Sequence, residues 1–369
     1  MATMFTDRIL MQRALFLAVL GKGRTSPNPM VGAVLVKQGR VLGEGYHRRA
    51  GEDHAEAIAL REAGDRASGA TLYVTLEPCS HYGRTPPCTD QIIQTGIPRV
   101  VASMADPNPL VSGKGFERLR QAGIEVKSGL MEEESRTLNE AYIKFITTDL
   151  PFVILKGATS LDGKIATVTG ESRWITGPLA RERVHRLRNE VDAVMVGIST
   201  VLKDDPQLTT RLPSGIGKDP LRIVLDSHAQ LPLDAKVINP SSPAKTLLIT
   251  SSFSPREKRE DLQKRGVQVW CMELEEESGK IPLRPVLKKL AEWNVMSLII
   301  EGGSELNASA LQEGIVDKVV LFLAPRLIGG ATAPSWIGGA GVGELKRSYF
   351  LKKVSLERIG DDIMLSGYF

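Results

Sequence analysis

The chain alternates between two hydrophobic periodicities, and the alternation predicts its elements. "MVGAVLV" (30–36) is a solid apolar run of strand length, the pattern of a strand covered on both faces. "HAEAIALREAG" (54–64) returns its apolar residues at helical spacing and ends at Gly64. Next come a strand over "TLYVTL" (71–76) and a helix over "PPCTDQIIQTG" (86–96), with Thr85 as N-cap and Gly96 past its end. A strand over "RVVASM" (99–104), a helix over "GFERLRQAG" (115–123), a short strand over "IEVKSG" (124–129) and one helix over "EESRTLNEAYIKFITT" (133–148) complete the first half. Upstream of all these, Met11, Leu15 and Ala18 recur at helical spacing in an amphipathic first helix.

The pattern restarts at Pro151. "PFVILKGATSLDGKIA" opens a strand, and "ARERVHRLRNEV", "AVMVGIST", "LRIVLDS", "KTLLITS", "VMSLIIEGG" and "VDKVVLFLAPRLIGG" continue the alternation. Strands alternating with helices imply an α/β layered fold. At 369 residues the chain exceeds one ordinary core, which places a boundary near residue 150 and gives domains 1–150 and 151–369. "PSGIGKDP" (213–220) reads as a loop inside the second domain.

Composition narrows the partners. The net charge is only +4, and no Lys/Arg cluster is interleaved with aromatics, so a nucleic-acid surface is not expected. No apolar run reaches membrane-spanning length, and "ALFLAVL" lacks the cleavage site of a signal peptide. Three cysteines form no disulfide framework and fit a reducing, cytoplasmic setting.

The chemistry concentrates where the rare residues do. Of five histidines and three cysteines, His54, Cys79 and Cys88 fall in "HAE" and "PCSHYGRTPPC". Imidazole plus two thiolates is a zinc donor set, and three protein ligands leave a fourth position for water. Cys88 is expected in the first turn of its helix, where amides and dipole favour a thiolate. Glu56, two residues from His54, can reach the same pocket at a helix start and carry the water's proton. The alternatives are core-packing cysteines, or a structural zinc site completed by His81. Cys271 lies outside the cluster and reads as packing. The pattern approaches the His-x-Glu…Pro-Cys-x-x-Cys signature of zinc nucleobase deaminases, but eight residues separate the cysteines here instead of two.

In the second half no G-x-G-x-x-G follows a strand, which argues against a Rossmann domain. "SLIIEGGSELNASAL" (297–311) reads as strand, Gly302–Gly303 turn and helix. Free amides at such a helix start can hold a cofactor phosphate, although the same pattern is also ordinary turn chemistry.

"TSPNPMVGAVLV", "GYHRRAGEDHAEAIAL" and "EPCSHYGRTPPC", with "SLDGKIA", "GESRWITG" and "DDPQLTTR" in the second half, resemble the bifunctional pyrimidine deaminase/reductase family of riboflavin biosynthesis. The resemblance covers both halves. It implies an N-terminal cytidine-deaminase-like α/β/α domain and a C-terminal domain similar to dihydrofolate reductase, with one zinc per chain and NADPH. The implied substrate is 2,5-diamino-6-ribosylamino-4(3H)-pyrimidinone 5′-phosphate, deaminated on the ring and then reduced at the ribosyl C1′ carbon to a ribityl chain. His54, Cys79 and Cys88 map to zinc ligands and Glu56 to the proton shuttle. Asn28, His47 and Arg84 map to pyrimidine recognition, with Asn28 between two prolines also readable as a turn former.

In the second domain the resemblance maps Lys156, Ser172, Arg188, Leu208, Arg211 and Glu301 to substrate. It maps Ala158, Trp174, Thr200, Asp204, Ser227 and the run Gly303, Ser304, Glu305, Leu306, Asn307, Ala308 and Ser309 to cofactor. Arg188 and Arg211 have the fork geometry to grip the 5′-phosphate, Lys156 and Glu301 could pair with ring groups, and Asp204 is the candidate proton source. Set against this, Arg188 sits on a charged helix where solvated arginines are common, and Asp204–Asp205–Pro206 could be a plain turn. A homo-oligomer acting on a small phosphorylated pyrimidine, with neither nucleic acid nor membrane as partner, is the expected assembly.

Overall fold

A computed structural model describes residues 2–81, 86–109, 111–215, 217–238, 241–276 and 278–369, with backbone alone for 2–6. Two compact units divide at Leu150/Pro151. Arg84 and the expected N-cap Thr85 lie outside the described residues. Among the described residues no helix is long and apolar enough to cross a membrane.

The first unit runs α1 (Ala2–Val19), β1 (Gly32–Lys37), β2 (Arg40–Tyr46), α2 (Ala55–Ala63), β3 (Thr71–Val74), α3 (Cys88–Gln94), β4 (Arg99–Ala102), α4 (Lys114–Gln121), β5 (Glu125–Ser128), α5 (Glu132–Leu138) and α6 (Glu140–Thr148). Its sheet has the order β2-β1-β3-β4-β5. β1 is antiparallel to both neighbours, whereas β3, β4 and β5 are parallel. Strand residues alternate between two cores, as a period of two requires. Ala33, Leu35, Leu72, Val74, Val100 and Ala102 join α2, α3 and α4 on one face, while Val34, Val36, Tyr73 and Val101 meet Met11, Ala14 and Leu15 of α1 on the other.

Two features depart from the sequence expectation. β2 gives almost no hydrophobic signal because its glycines are there for space. A Cβ on Gly43 would sit 2.2 Å from the Ala59 carbonyl oxygen, and one on Gly45 2.2 Å from that of Ala55, so α2 can lie directly on the strand. The single helix expected over 133–148 is instead two, broken at Asn139 (φ −103°, ψ 22°). The buried Asn139 side chain accepts from the Met30 amide (2.8 Å) and donates to the Met30 carbonyl (3.0 Å). It thereby clasps the loop that carries Asn28.

The second unit runs β6 (Phe152–Ser160), α7 (Pro178–Glu190), β7 (Ala193–Gly197), α8 (Ile198–Asp204), β8 (Leu221–Leu225), β9 (Thr246–Ser251), α9 (Arg256–Lys264), β10 (Gln268–Met272), α10 (Leu283–Glu292), β11 (Ser297–Ile300), α11 (Ser304–Gln312), β12 (Lys318–Ala324), β13 (Lys352–Ile359) and β14 (Asp362–Tyr368). The sheet order is β10-β9-β8-β7-β11-β6-β12-β14-β13. The strands from β10 to β12 pair in parallel, and an antiparallel hairpin, β13–β14, extends the far edge. β11 inserts between β6 and β7, which opens a crevice at their carboxyl ends where α/β sheets bind ligands.

Candidate active sites

In the first unit, the turn after β3 is set by buried polar groups. Thr75 Oγ1 accepts from the Gly32 amide (3.1 Å), and the Thr75 carbonyl accepts from Ser135 Oγ (2.7 Å). Glu77, only 3% exposed, accepts four backbone amides. Gly115 (2.8 Å) and Phe116 (3.3 Å) donate to one oxygen, Asp106 (3.1 Å) and Gly113 (3.0 Å) to the other. This carboxylate caps α4 and pins the Pro78–Cys79 turn. A glutamate after an apolar strand gives no sign in the sequence that it will be buried.

His54 precedes α2 in an extended conformation (φ −72°, ψ 158°), and Glu56 lies in the first turn behind it. That break from helical geometry lets two residues only two positions apart serve one pocket. His54 Nδ1 lies 3.3 Å from Cys88 Sγ and 3.6 Å from Cys79 Sγ, and the three donor atoms all lie within 4.8 Å of one another. Tetrahedral zinc, with bonds of about 2.05 Å to nitrogen and 2.3 Å to sulfur, places such atoms about 3.5 Å apart. The donor set therefore fits zinc in both identity and spacing. His81 is exposed and outside this cluster, so it does not supply a fourth ligand.

The helix start acts on the other cysteine from the one expected. Cys88 opens α3, but its amide donates to Cys79 Sγ (3.3 Å). Donation from the Cys88 thiol, outweighing burial, and contact with His54 draw the Cys79 thiol down to about 4. The same hydrogen bond, with burial, pushes Cys88 up. His54 is pushed up to about 9 by its bond to Cys79, against desolvation. Glu56 is 3% exposed, and burial raises its proton affinity against the opposing pull of His54.

His47 is buried and stacks edge-on to His54, with centroids 5.4 Å apart. Its Nδ1 lies 3.1 Å from the Asp53 carbonyl, which can only accept, so Nδ1 carries the proton. Nε2 then accepts from Asn28 Nδ2 at 3.0 Å. Desolvation lowers the pKa of this imidazole. One N–H of the Asn28 amide is thus engaged by His47, and Oδ1 is the side chain's acceptor for a ligand. The Asn28 backbone amide also closes a turn onto the Thr25 carbonyl (2.7 Å), so the turn-former role holds as well. Cys271 is exposed on β10, which corrects the expectation that it packs in a core.

In the second unit, Lys156, Ser172, Arg188, Leu208, Arg211 and Glu301 all line one cavity of about 930 Å³, together with Ala158, Trp174, Thr200 and Asp204. Glu301, directly after β11, is the hub. It takes Arg188 through two hydrogen bonds (Nε 2.7 Å, Nη2 3.0 Å) and Lys156 Nζ at 3.1 Å. Burial alone would raise its pKa, but the two cations hold it well below the usual carboxylate range. Arg188 is therefore an anchored, buried group, contrary to a solvated helix face, and it is largely spent on Glu301 and the Thr209 carbonyl (3.1 Å). Lys156 and Glu301, expected to pair with ring groups, pair with each other.

Asp204 closes α8, and its Oδ1 accepts from Ser172 Oγ at 3.2 Å. Asp205 makes the turn in a left-handed conformation (φ 42°) and binds the Lys236 amide (2.8 Å). Leu208 is also left-handed (φ 53°) and buried, a strained backbone for a leucine, and it fixes the loop from Pro206 to Arg211.

The Gly302–Gly303 turn does not use the conformational freedom of glycine, since neither residue has a positive φ. At Gly302 a Cβ would meet Leu306 Cδ2 at 2.5 Å, so any larger residue would require the Leu306 side chain to shift. At Gly303 the nearest atom to a Cβ is Thr200 Oγ1 at 3.7 Å, which leaves space at the start of α11. Beyond that start the run turns inward. Ala308 is buried, Asn307 is buried and donates to the Trp336 carbonyl (2.9 Å), and Ser309 accepts from Lys280 (3.4 Å). Ser227 follows β8, and its carbonyl accepts from Ser251 Oγ (2.7 Å).

A zinc-type deaminase unit joined to a reductase unit is the class that this fold and these sites define. Residues 4–104 match the cytidine and deoxycytidylate deaminase zinc-binding region, and residues 151–365 match the RibD C-terminal domain. The chain belongs to the RibD family, the bifunctional deaminase/reductases of riboflavin biosynthesis. It is 49% identical over 360 residues to riboflavin biosynthesis protein RibD of Aquifex aeolicus, covering 97% of each chain, and 41% identical to that of Escherichia coli, covering 97% of this chain and 98% of that one. Among solved structures, Acinetobacter baumannii RibD superposes with a TM-score of 0.88 at 39% identity over 99% of each chain. The Thermotoga maritima diaminohydroxyphosphoribosylaminopyrimidine deaminase/5-amino-6-(5-phosphoribosylamino)uracil reductase does so with a TM-score of 0.86 at 37% identity, again over 99% of each.

Proposed function

We propose that residues 1–150 deaminate 2,5-diamino-6-ribosylamino-4(3H)-pyrimidinone 5′-phosphate and that residues 151–369 reduce the product to 5-amino-6-(5-phosphoribitylamino)uracil. The observation that carries this reading is the convergence of His54 Nδ1 and the two sulfurs beside the buried Glu56, on a chain whose other unit holds a charged cavity. Deamination adds water oxygen to a ring carbon, breaks the exocyclic C–N bond and releases ammonia. His54, Cys79 and Cys88 would hold zinc, which would supply the Lewis acid that lowers the pKa of a bound water toward neutral. Glu56 takes the proton that water gives up and passes it to the departing amine. Asn28 Oδ1, oriented by His47, accepts from a pyrimidine N–H, and Arg84 is assigned to the same recognition.

In the second unit NADPH, when bound, would supply the hydride for C1′. The ring C–O bond breaks, and the freed oxygen takes a proton from Asp204 at the cavity wall. Ala158, Trp174, Thr200, Ser227 and the start of α11 (Gly303–Ser304) support cofactor placement, with Glu305–Ser309 holding that helix. Lys156, Ser172, Arg188, Leu208, Arg211 and Glu301 position the substrate. Given the diamino substrate, the protein is expected to release ammonia without NADPH and to oxidise NADPH only after that release. NADPH oxidation preceding ammonia release would reverse the proposed order, and release of none would remove the deaminase reading.

Copies of the chain are proposed to associate through the β13 edge. Edge strands are ordinarily protected from pairing, yet this one exposes Leu356 (69%) and Val354 (51%), with Phe350 (80%) just before it. Sedimentation equilibrium is expected to show an oligomer that Leu356→Lys weakens; a monomer at micromolar concentration would refute it. Two cysteines in the metal cluster and a third that is free suit a reducing, cytoplasmic setting.

A further inference from the structure

Asn139 breaks the helix expected over 133–148, and its side chain, 1% exposed, turns both polar atoms on a loop from the other end of the unit. Oδ1 accepts from the Met30 amide and Nδ2 donates to the Met30 carbonyl. Only a carboxamide answers the N–H and the C=O of one residue at once, as a neighbouring strand would.

The same junction reaches the zinc-ligand turn. Asn139 Nδ2 also donates to the Ser135 carbonyl (3.4 Å), and the fully buried Ser135 Oγ donates to the Thr75 carbonyl (2.7 Å). Thr75, fully buried after β3, exchanges two bonds with Gly32: its amide donates to the Gly32 carbonyl (3.1 Å) and its Oγ1 accepts from the Gly32 amide (3.1 Å). Met30, Asn139, Ser135, Thr75 and Gly32 thereby close a circuit of hydrogen bonds. Asn28 stands two residues before Met30, and Cys79 stands four residues after Thr75. The circuit therefore fixes the loop that carries Asn28 against the turn that carries a metal ligand. In a low-dielectric interior such a network specifies one arrangement of the segments it joins.

We propose, on the reading of Asn28 as a pyrimidine-contacting residue, that Asn139 is a positioning residue of the deaminase. It sets the place of Asn28 relative to His54, Cys79 and Cys88 without touching substrate itself. Asn28 recognises a part of the pyrimidine that does not react, so its misplacement removes binding that ground and transition states share. KM then rises and kcat stays. A residue that merely propped the unit would lower zinc content and kcat together.

The test is a double-mutant cycle on the full chain, with zinc content and the KM and kcat of ammonia release measured for each variant. Asn139→Ala is expected to raise KM for the diamino substrate about tenfold, the scale of one lost hydrogen bond, with kcat and zinc little changed. Asn28→Ala is expected to do the same. The double variant should be no worse than Asn28→Ala, because Asn139 acts only through Asn28. Should Asn139→Ala not fold, Asn139→Asp carries the cycle, since it is isosteric, keeps the bond from the Met30 amide and loses only the donor. With KM raised in Asn28→Ala, three results would overturn this inference alone: KM unchanged in the Asn139 variants, effects that multiply in the double variant, or zinc lost in both Asn139 variants. A normal KM in Asn28→Ala would overturn the reading of Asn28 as well.

Discussion

Glu56→Gln is expected to keep zinc and lose deamination. The amide fills the same buried space but cannot accept and return a proton, and general acid–base catalysis contributes about 10²–10⁴-fold. Metal analysis should still find about one zinc per chain, because the His54, Cys79 and Cys88 donors converge without Glu56. Cys88→Ser gives the contrasting result. It removes a sulfur that lies 3.3 Å from His54 Nδ1, so metal and deamination should be lost together. In both variants NADPH oxidation with the pre-deaminated pyrimidine should persist, since the second unit is compact on its own. Zinc loss in Glu56→Gln would make Glu56 a ligand or a prop, and loss of reduction would show that the units do not work separately.

Glu301→Gln is expected to damage the second unit itself. Glu301 is 5% exposed at its side chain, and Lys156 and Arg188 are 14% and 11% exposed. Removing the one anion leaves two buried cations facing each other, a defect that costs about 3–5 kcal/mol. In a unit of this size that amounts to a fall of roughly 10 °C in its melting transition. The pH sign follows from the depressed carboxyl. The ion-pair contribution is complete above the ordinary carboxylate value of 4.5 and fades only as pH falls through the much lower folded value. Calorimetry from pH 8 to 5 should therefore show the wild-type advantage over Glu301→Gln nearly constant. An advantage that disappears already near pH 6, or no difference in melting at all, would contradict the role given to the triad.

How much was legible depended on whether a residue's role is local. The strands of the parallel core announce themselves because solid apolar runs have few other uses. The metal ligands are legible because rare residue types gathered at two short motifs. β2 was missed because its glycines serve the close approach of α2, a contact made with residues some dozen positions away. The Asn139 break was missed because its cause is Met30, 109 residues away in sequence. In sequence Arg188 reads as a surface residue on a charged helix, because its partner Glu301 stands at the end of a strand 113 residues on.

The sequence by itself determined the alternation that makes both units α/β layers, and the donor types that make one of them a zinc site. Those properties lie in side-chain chemistry and in periodicity along one segment. The tertiary structure alone decided which cysteine the α3 amide favours, which way the Asn28 amide faces His47 and which arginine Glu301 holds. Each of these depends on a hydrogen bond or ion pair whose partner is distant in the chain. Buried polar groups must be matched to whichever partner the fold brings near, and that matching is not written in any one segment.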